Sequence, residues 1–210
     1  IASSSNYYGI YEGGGTIHGL TLENNAIASY GYSIYLYGSS AAHHQNLTMV
    51  NNELTNFQYR GAYVYYFDSI LIEGNVLNSG AYTSTQYGIY FGQGQYAQIL
   101  SNDITLNTTN YAYGIYSLQG GTSTTHNVCA NNMVKCTNVS TYSRGIYLGS
   151  YAYWDVYFNS IYTKSTSTST SYASFYSTSG TTTIYNNAVY NSGTGYAMYI
   201  STSATHDYNV

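Results

Sequence analysis

Apolar positions along this chain come in short runs of alternating residues, and the runs recur. Leu20 and Leu22, Leu47 and Met49, Ile70 and Ile72, and Ala97 and Ile99 are pairs two residues apart. A period of two is the mark of a strand, with those side chains on one face and their neighbours on the other. No segment sustains a 3.6-residue period, so no helix is predicted to cross between strands. The chain is predicted to be built of short strands throughout.

Two motifs alternate from end to end. One reads small–aliphatic–Tyr: Gly9-Ile10-Tyr11, Ser33-Ile34-Tyr35, Gly61-Ala62-Tyr63 and Gly88-Ile89-Tyr90. It continues in Gly114-Ile115-Tyr116, Gly145-Ile146-Tyr147, Ser174-Phe175-Tyr176 and Ala197-Met198-Tyr199. The other reads Asn–any–aliphatic, at Asn25, Asn52, Asn75, Asn102, Asn132, Asn159 and Asn187, with Asn209 beginning an eighth. Spacings within each motif run from 22 to 31 residues. Short strands repeating at that period without helices predict an all-β parallel solenoid of about eight coils, with two or three strands in each. The repeated Asn is expected at a sharp corner between two strands, itself in the left-handed conformation that Asn tolerates best after Gly. Stacked coil upon coil, its amides are expected to hydrogen-bond along a column.

Tyr11, Tyr35, Tyr63, Tyr90, Tyr116, Tyr147, Tyr176 and Tyr199 each follow an inward aliphatic, so all are expected to face outward from one sheet. Their neighbours would lie about 4.8 Å away, close enough to stack. A stripe of that extent is a candidate interaction surface as well, for a second rod or for flat sugar rings. A second Tyr column (Tyr8, Tyr32, Tyr87, Tyr113, Tyr196) is interrupted by Arg60, Arg144 and Ala173.

Composition excludes several classes of function. Charged residues make up only 6% of the 210-residue chain, with four Lys and Arg in all. Nucleic-acid binding is excluded, because phosphate neutralisation needs a basic face. Hydrophobic residues at 44% and a net charge of −4 argue against disorder. No apolar run reaches the roughly 20 residues of a membrane span. Solubility then rests on Ser, Thr, Asn and Gly, and three N-x-[ST] sequons, at Asn46, Asn107 and Asn138, are glycosylation candidates in a chain expected to be extracellular or on a cell surface. No signal-peptide pattern is present, so the sequence reads as a mature form or as a segment of something longer.

The Asn–x–aliphatic corners and Gly–Ile–Tyr strands resemble right-handed parallel β-helix proteins of the pectate-lyase-like type, over essentially all 210 residues. The right hand is implied by that resemblance alone. It implies a fold and not an activity, because the architecture serves lyases, hydrolases, tailspikes and adhesins. Catalytic members gather carboxylates with Lys or Arg in one groove, and a hydrolase needs paired acids roughly 5–9.5 Å apart. Here Glu23 and Glu73 share a repeat position two coils apart, as do Glu53 and Asp103, with no basic residue in register. Asp207 occupies the position of Glu23 in a following unit, where a shared cation is conceivable. The histidines share no metal-ligand spacing. His43 and His44 are expected at the surface, and His206, at an otherwise apolar position, is expected to be buried. No catalytic residue, cofactor or metal is assigned.

Cys129 occupies that same inward position and Cys136 lies past the corner. They are either bridged across it or two separate buried thiols. The Lys164–Ser171 stretch reads as a flexible loop. Neither end shows a capping element, and Asn209-Val210 followed by Ile1 would complete the eighth motif in register. Residues 1–210 therefore read as one β-helix domain, a segment of a longer solenoid or a subunit of a filament, whose partner is itself, head to tail. Eight coils would span roughly 38 Å. A surface adhesin or glycan-binding β-helix is the alternative, and a polysaccharide lyase or hydrolase comes third.

Overall fold

Each turn of the chain lays down three short strands, and each strand hydrogen-bonds in parallel to its counterpart one turn away. The computed structural model describes residues 7–137, 142–178, 183–200 and 204–210. Sheet A stacks β1 (Tyr8–Glu12), β4 (Tyr32–Tyr37), β7 (Arg60–Tyr65), β10 (Gln86–Gly92), β13 (Ala112–Gly120), β16 (Ser143–Ala152), β19 (Phe175–Ser177) and β22 (Met198–Ile200). Sheet B stacks β2 (Thr21–Glu23), β5 (His44–Val50), β8 (Phe67–Glu73), β11 (Ala97–Leu100), β14 (Asn127–Ala130), β17 (Trp154–Tyr157), β20 (Thr183–Tyr185) and β23 (Thr205–Asp207). Sheet C stacks β3 (Ala26–Ala28), β6 (Glu53–Phe57), β9 (Val76–Ser79), β12 (Asp103–Asn107), β15 (Met133–Thr137), β18 (Ser160–Thr163) and β21 (Ala188–Asn191).

Among the described residues the expected eight coils are seven with strands in all three sheets and an eighth with strands in sheets A and B. The two eight-stranded sheets and the seven-stranded one enclose a core in which like sits on like. Ile89, Ile115 and Ile146 form one inward column, and Leu54, Leu77, Ile104, Val134 and Ile161 form another. Trp154 lies in the core, its ring edge-on to Phe91 at 5.7 Å and its indole N–H donating to Ser117 Oγ at 3.2 Å. Where the residue ahead of the inward aliphatic is Gly, the cause is steric. A Cβ on Gly88 would come within 2.5 Å of both the Gly114 carbonyl oxygen and the Ile104 side chain.

The Asn ladder forms as expected, but its members are not the left-handed residues. Positive φ falls one residue earlier, on Asn24, Asn51, Ser101, Asn131, Phe158, Asn186 and Tyr208, at +50° to +58°, and on Gly74. The division of labour is physical. The ladder Asn needs its backbone N–H and its side chain aimed along the axis. The bend is therefore made by the preceding residue, whose side chain takes no part in the ladder. Oδ1 of Asn102 accepts from the Asn75 backbone N–H and side-chain amide, and Nδ2 of Asn102 donates to Ile72 O and to Asn132 Oδ1. The same pattern runs from Asn25 to Asn209.

The alternative left open at the cysteines is decided, and three further expectations are corrected. Cys129 and Cys136 are free, buried thiols on β14 and β15, so no bridge crosses that corner. His44 is fully buried rather than superficial, while His206, on the outermost described strand of sheet B, is exposed. The Lys164–Ser171 stretch is bonded to the neighbouring coil. Asn191 Oδ1 accepts the Ser165 N–H, Ser165 O accepts the Gly195 N–H, and a 3-10 turn over Thr170–Tyr172 follows.

Candidate functional site

The outward face of sheet A is the most distinctive surface, and its chemistry follows from strand register. β1, β4, β7, β10, β13, β16, β19 and β22 pair with Tyr11, Tyr35, Tyr63, Tyr90, Tyr116, Tyr147, Tyr176 and Tyr199 in one line. Consecutive ring centroids are 5.4, 4.7, 4.9, 4.8, 4.7, 5.3 and 5.3 Å apart. The column is continuous. Beside it run Tyr8, Tyr32, Arg60, Tyr87, Tyr113 and Arg144, also in register.

The two arginines take the place of tyrosines in that second column, and each becomes enclosed by rings. The Arg60 guanidinium lies 4.7–5.3 Å from the ring centroids of Tyr32, Tyr63, Tyr87 and Tyr90. Arg144 lies 4.6–5.3 Å from those of Tyr113, Tyr147, Tyr172 and Tyr176. Arg60 also donates to Tyr32 Oη at 3.2 Å, and Arg144 donates to the Ser171 carbonyl. Neither Nε atom has a hydrogen-bond partner. Among the described residues every ion pair joins a histidine to a carboxylate, so both guanidinium charges are balanced chiefly by aromatic faces.

Burial within this wall raises the phenol pKa values. Desolvation pushes Tyr90 and Tyr113 up to about 12, against an opposing pull from Arg60 and Arg144 respectively. Tyr63 and Tyr116 are raised further, first by desolvation and then by neighbouring phenols. Sequence reading missed an adjoining stack, Tyr111–Tyr142–Tyr172, with centroids 4.7 and 4.2 Å apart. Its signal was present: those residues are also one coil period apart, but outside the motif.

It also missed three histidine–carboxylate pairs, each linking adjacent or near-adjacent coils. His43 Nδ1 is 3.1 Å from Asp68, and His126 Nδ1 is 2.8 Å from Asp155. Buried His44 accepts the Ile17 N–H at Nδ1, 2.8 Å away, so its Nε2 carries the proton and donates to Glu12 at 2.9 Å. These acids are held by imidazoles as structural links. Register places Val50 between Glu23 and Glu73, and Val76 between Glu53 and Asp103. Glu23 and Asp207 lie on opposite end coils of sheet B. An apolar groove of about 710 Å³ lies over sheet C, lined by Met133, Tyr162, Tyr190 and Val210 among others, and no acid lines it. Among the described residues no group of three His, Cys, Asp or Glu side chains could hold a metal, and no helix is long and apolar enough to cross a membrane.

Of the sequons, Asn46 is exposed in β5 and Asn107 is half-buried at the end of β12, while Asn138 lies outside the described residues.

Residues 34–210 match the family described as right handed beta helix region. The chain belongs to that family. Its three-sheet coil is accordingly a right-handed parallel β-helix, and the family includes both enzymes and non-enzymes. No curated protein and no solved structure matches this β-helix.

Proposed function

We propose that this β-helix is a non-catalytic structural segment of an extracellular or cell-surface rod, extended by end-on stacking of coils. One observation carries the reading: the two outer coils have complementary edges. Oδ1 of each ladder Asn from Asn52 to Asn209 accepts from the coil before it, and Oδ1 of Asn25 offers the same acceptor on the first coil. The Asn209 backbone N–H stands where the equivalent atoms of earlier coils donate to the next. Inward-facing Ile10, Leu22 and Ile27 on one outer coil, and Met198 and Ile200 on the other, are only partly covered. Docking coil on coil would cover both sets, extend all three sheets and pair their edge strands. The added coils can belong to the same polypeptide or to a second copy. Sugar on Asn46 would project from sheet B and leave the stacking surfaces clear.

Electron microscopy of the native material tests this. Filaments or long rods with an axial repeat near 38 Å are expected, from eight strand spacings of about 4.8 Å. Discrete short rods at high concentration would overturn it.

A second reading, an adhesin or carbohydrate-binding β-helix, is favoured by the extent of the half-exposed tyrosine wall. Retention on polysaccharide, lost in Tyr90→Ala and Tyr116→Ala, would support it. A polysaccharide lyase or hydrolase would have to release unsaturated or reducing sugar. Each pair, Glu23 with Glu73 and Glu53 with Asp103, has a Val interposed and no Lys or Arg in its register, which speaks against that activity.

A further inference from the structure

We infer that the tyrosine column of sheet A is a site of oxidative phenol coupling, at which hydrogen peroxide, used by a haem peroxidase, joins stacked tyrosines of adjacent coils as dityrosine. The inference does not depend on end-on stacking. It rests on ring geometry.

Tyr116 and Tyr147 have centroids 4.7 Å apart and planes inclined by 13°, and Tyr147 and Tyr176 are 5.3 Å apart at 4°. Tyr35 and Tyr63 are 4.7 Å apart at 21°. In a near-parallel, in-register stack each ring carbon lies about one centroid spacing, roughly 5 Å, from the same carbon of the next ring. The carbon ortho to the hydroxyl, which bears much of the unpaired spin of a tyrosyl radical, therefore already faces its coupling partner. The stack holds that partner one strand spacing away, which replaces a bimolecular encounter with an intramolecular one. Tyr11, 59% exposed on the first coil, offers the column to an external oxidant. Rings no more than 5.4 Å apart throughout then allow a radical formed at one tyrosine to pass to its neighbours by exchange of an electron and a proton.

The chemistry balances. Each of two phenols gives up its O–H hydrogen as one electron and one proton. The two radicals pair into an ortho–ortho carbon–carbon bond. Each coupled carbon then loses its hydrogen as a proton while a proton returns to the oxygen, restoring both aromatic rings. The pair has lost two electrons and two protons, and one hydrogen peroxide takes them up as two waters. The rings must lean together and twist out of coplanarity, a movement open to side chains that are half-exposed on the outside of the sheet. The product ties one coil to the next through a bond that the backbone does not provide, between residues a full coil apart in sequence.

Tyr151 and Tyr208 give the contrast. Both are highly exposed, at 68% and 76%, and neither has a ring contact among those seen, so each could couple only with a second chain.

The test treats the folded chain with a haem peroxidase and hydrogen peroxide, follows dityrosine fluorescence, and maps cross-linked peptides by mass spectrometry. The expected result is a chain of unchanged monomer size that has lost two hydrogens per cross-link, with Tyr116–Tyr147 among the joined pairs, at a yield independent of dilution. Tyr116→Phe keeps the ring and the stack but removes the phenol. It should abolish that cross-link while circular dichroism stays unchanged, whereas Tyr151→Phe should leave it intact. The cross-linked chain should also unfold at a higher temperature than the untreated one. Absence of dityrosine, or dityrosine confined to Tyr151 or Tyr208 and lost on dilution, would overturn the inference.

Discussion

Oδ1 of Asn102 accepts two hydrogen bonds from Asn75, one from its backbone N–H at 3.0 Å and one from its side-chain amide at 2.9 Å. Both residues are almost fully buried, so neither donor of Asn75 has water to fall back on. Repeated from coil to coil, this pair of hydrogen bonds locks the corner between sheets B and C.

Asn102→Leu should therefore cost about 2–3 kcal/mol, because the buried Asn75 backbone N–H loses its acceptor while the Asn75 amide keeps Met49 O and Glu73 O. Asn25→Leu, on an outer coil where Oδ1 serves no earlier Asn, should cost about 1 kcal/mol or less. Urea unfolding of the two variants makes the comparison. Equal losses would mean that the ladder adds nothing beyond a polar contact.

Phe158 holds φ at +58° in a position filled by Asn24, Asn51, Asn131 and Asn186 in other coils. Its side chain is 56% exposed, so little packing is lost when it is replaced. A left-handed conformation costs a non-Gly residue about 1–2 kcal/mol, and Asn relieves part of that through local hydrogen bonding. Phe158→Asn should stabilise the fold by roughly 0.5–1 kcal/mol. A thermal melt showing lower stability would contradict the assignment of strain to this corner.

Alkaline pH should unfold the rod through its tyrosine wall. Tyr90 and Tyr113 ionise near 12 in the folded chain, against an ordinary value of 10, because burial disfavours the phenolate. The unfolded chain thus releases those protons first. The stability they contribute is complete below pH 10 and is lost as pH rises through 12. Tyrosinate absorbance should lag behind the curve of free tyrosine and then rise together with loss of β circular dichroism. Simple titration at pH 10 with the fold intact would refute this.

Burial likewise pushes the thiols of Cys129 and Cys136 up to about 12. Neither should react with a thiol reagent at pH 8 until the chain is denatured, after which both should react. Reaction of either thiol in the native state would place it outside the core.

Much of this arrangement was legible because a parallel solenoid has a simple rule: residues at equivalent positions in successive coils become neighbours. Asn25 to Asn209 and Tyr11 to Tyr199 could be aligned from their motifs alone, and Arg60 and Arg144 stood out as interruptions of a tyrosine column. The rule fails where loops vary. Glu12 meets His44 across 32 residues and His43 meets Asp68 across 25, separations that only the course of the intervening loops could set. The enclosure of Arg144 was hidden for the same reason, since Tyr172 reaches it from a 3-10 turn outside the repeat.

By itself, then, the sequence determined the parallel stacking, the Asn ladder and the outward tyrosine columns, because period-2 alternation and one motif copy per coil leave a single consistent register. The tertiary structure alone decided that the residue before each ladder Asn makes the bend, that His44 is buried, and that the two cysteines stay apart. It alone decided that each arginine is surrounded by four rings. These outcomes depend on contacts made between coils and on which coils are covered, and such contacts exist only once the chain has wound.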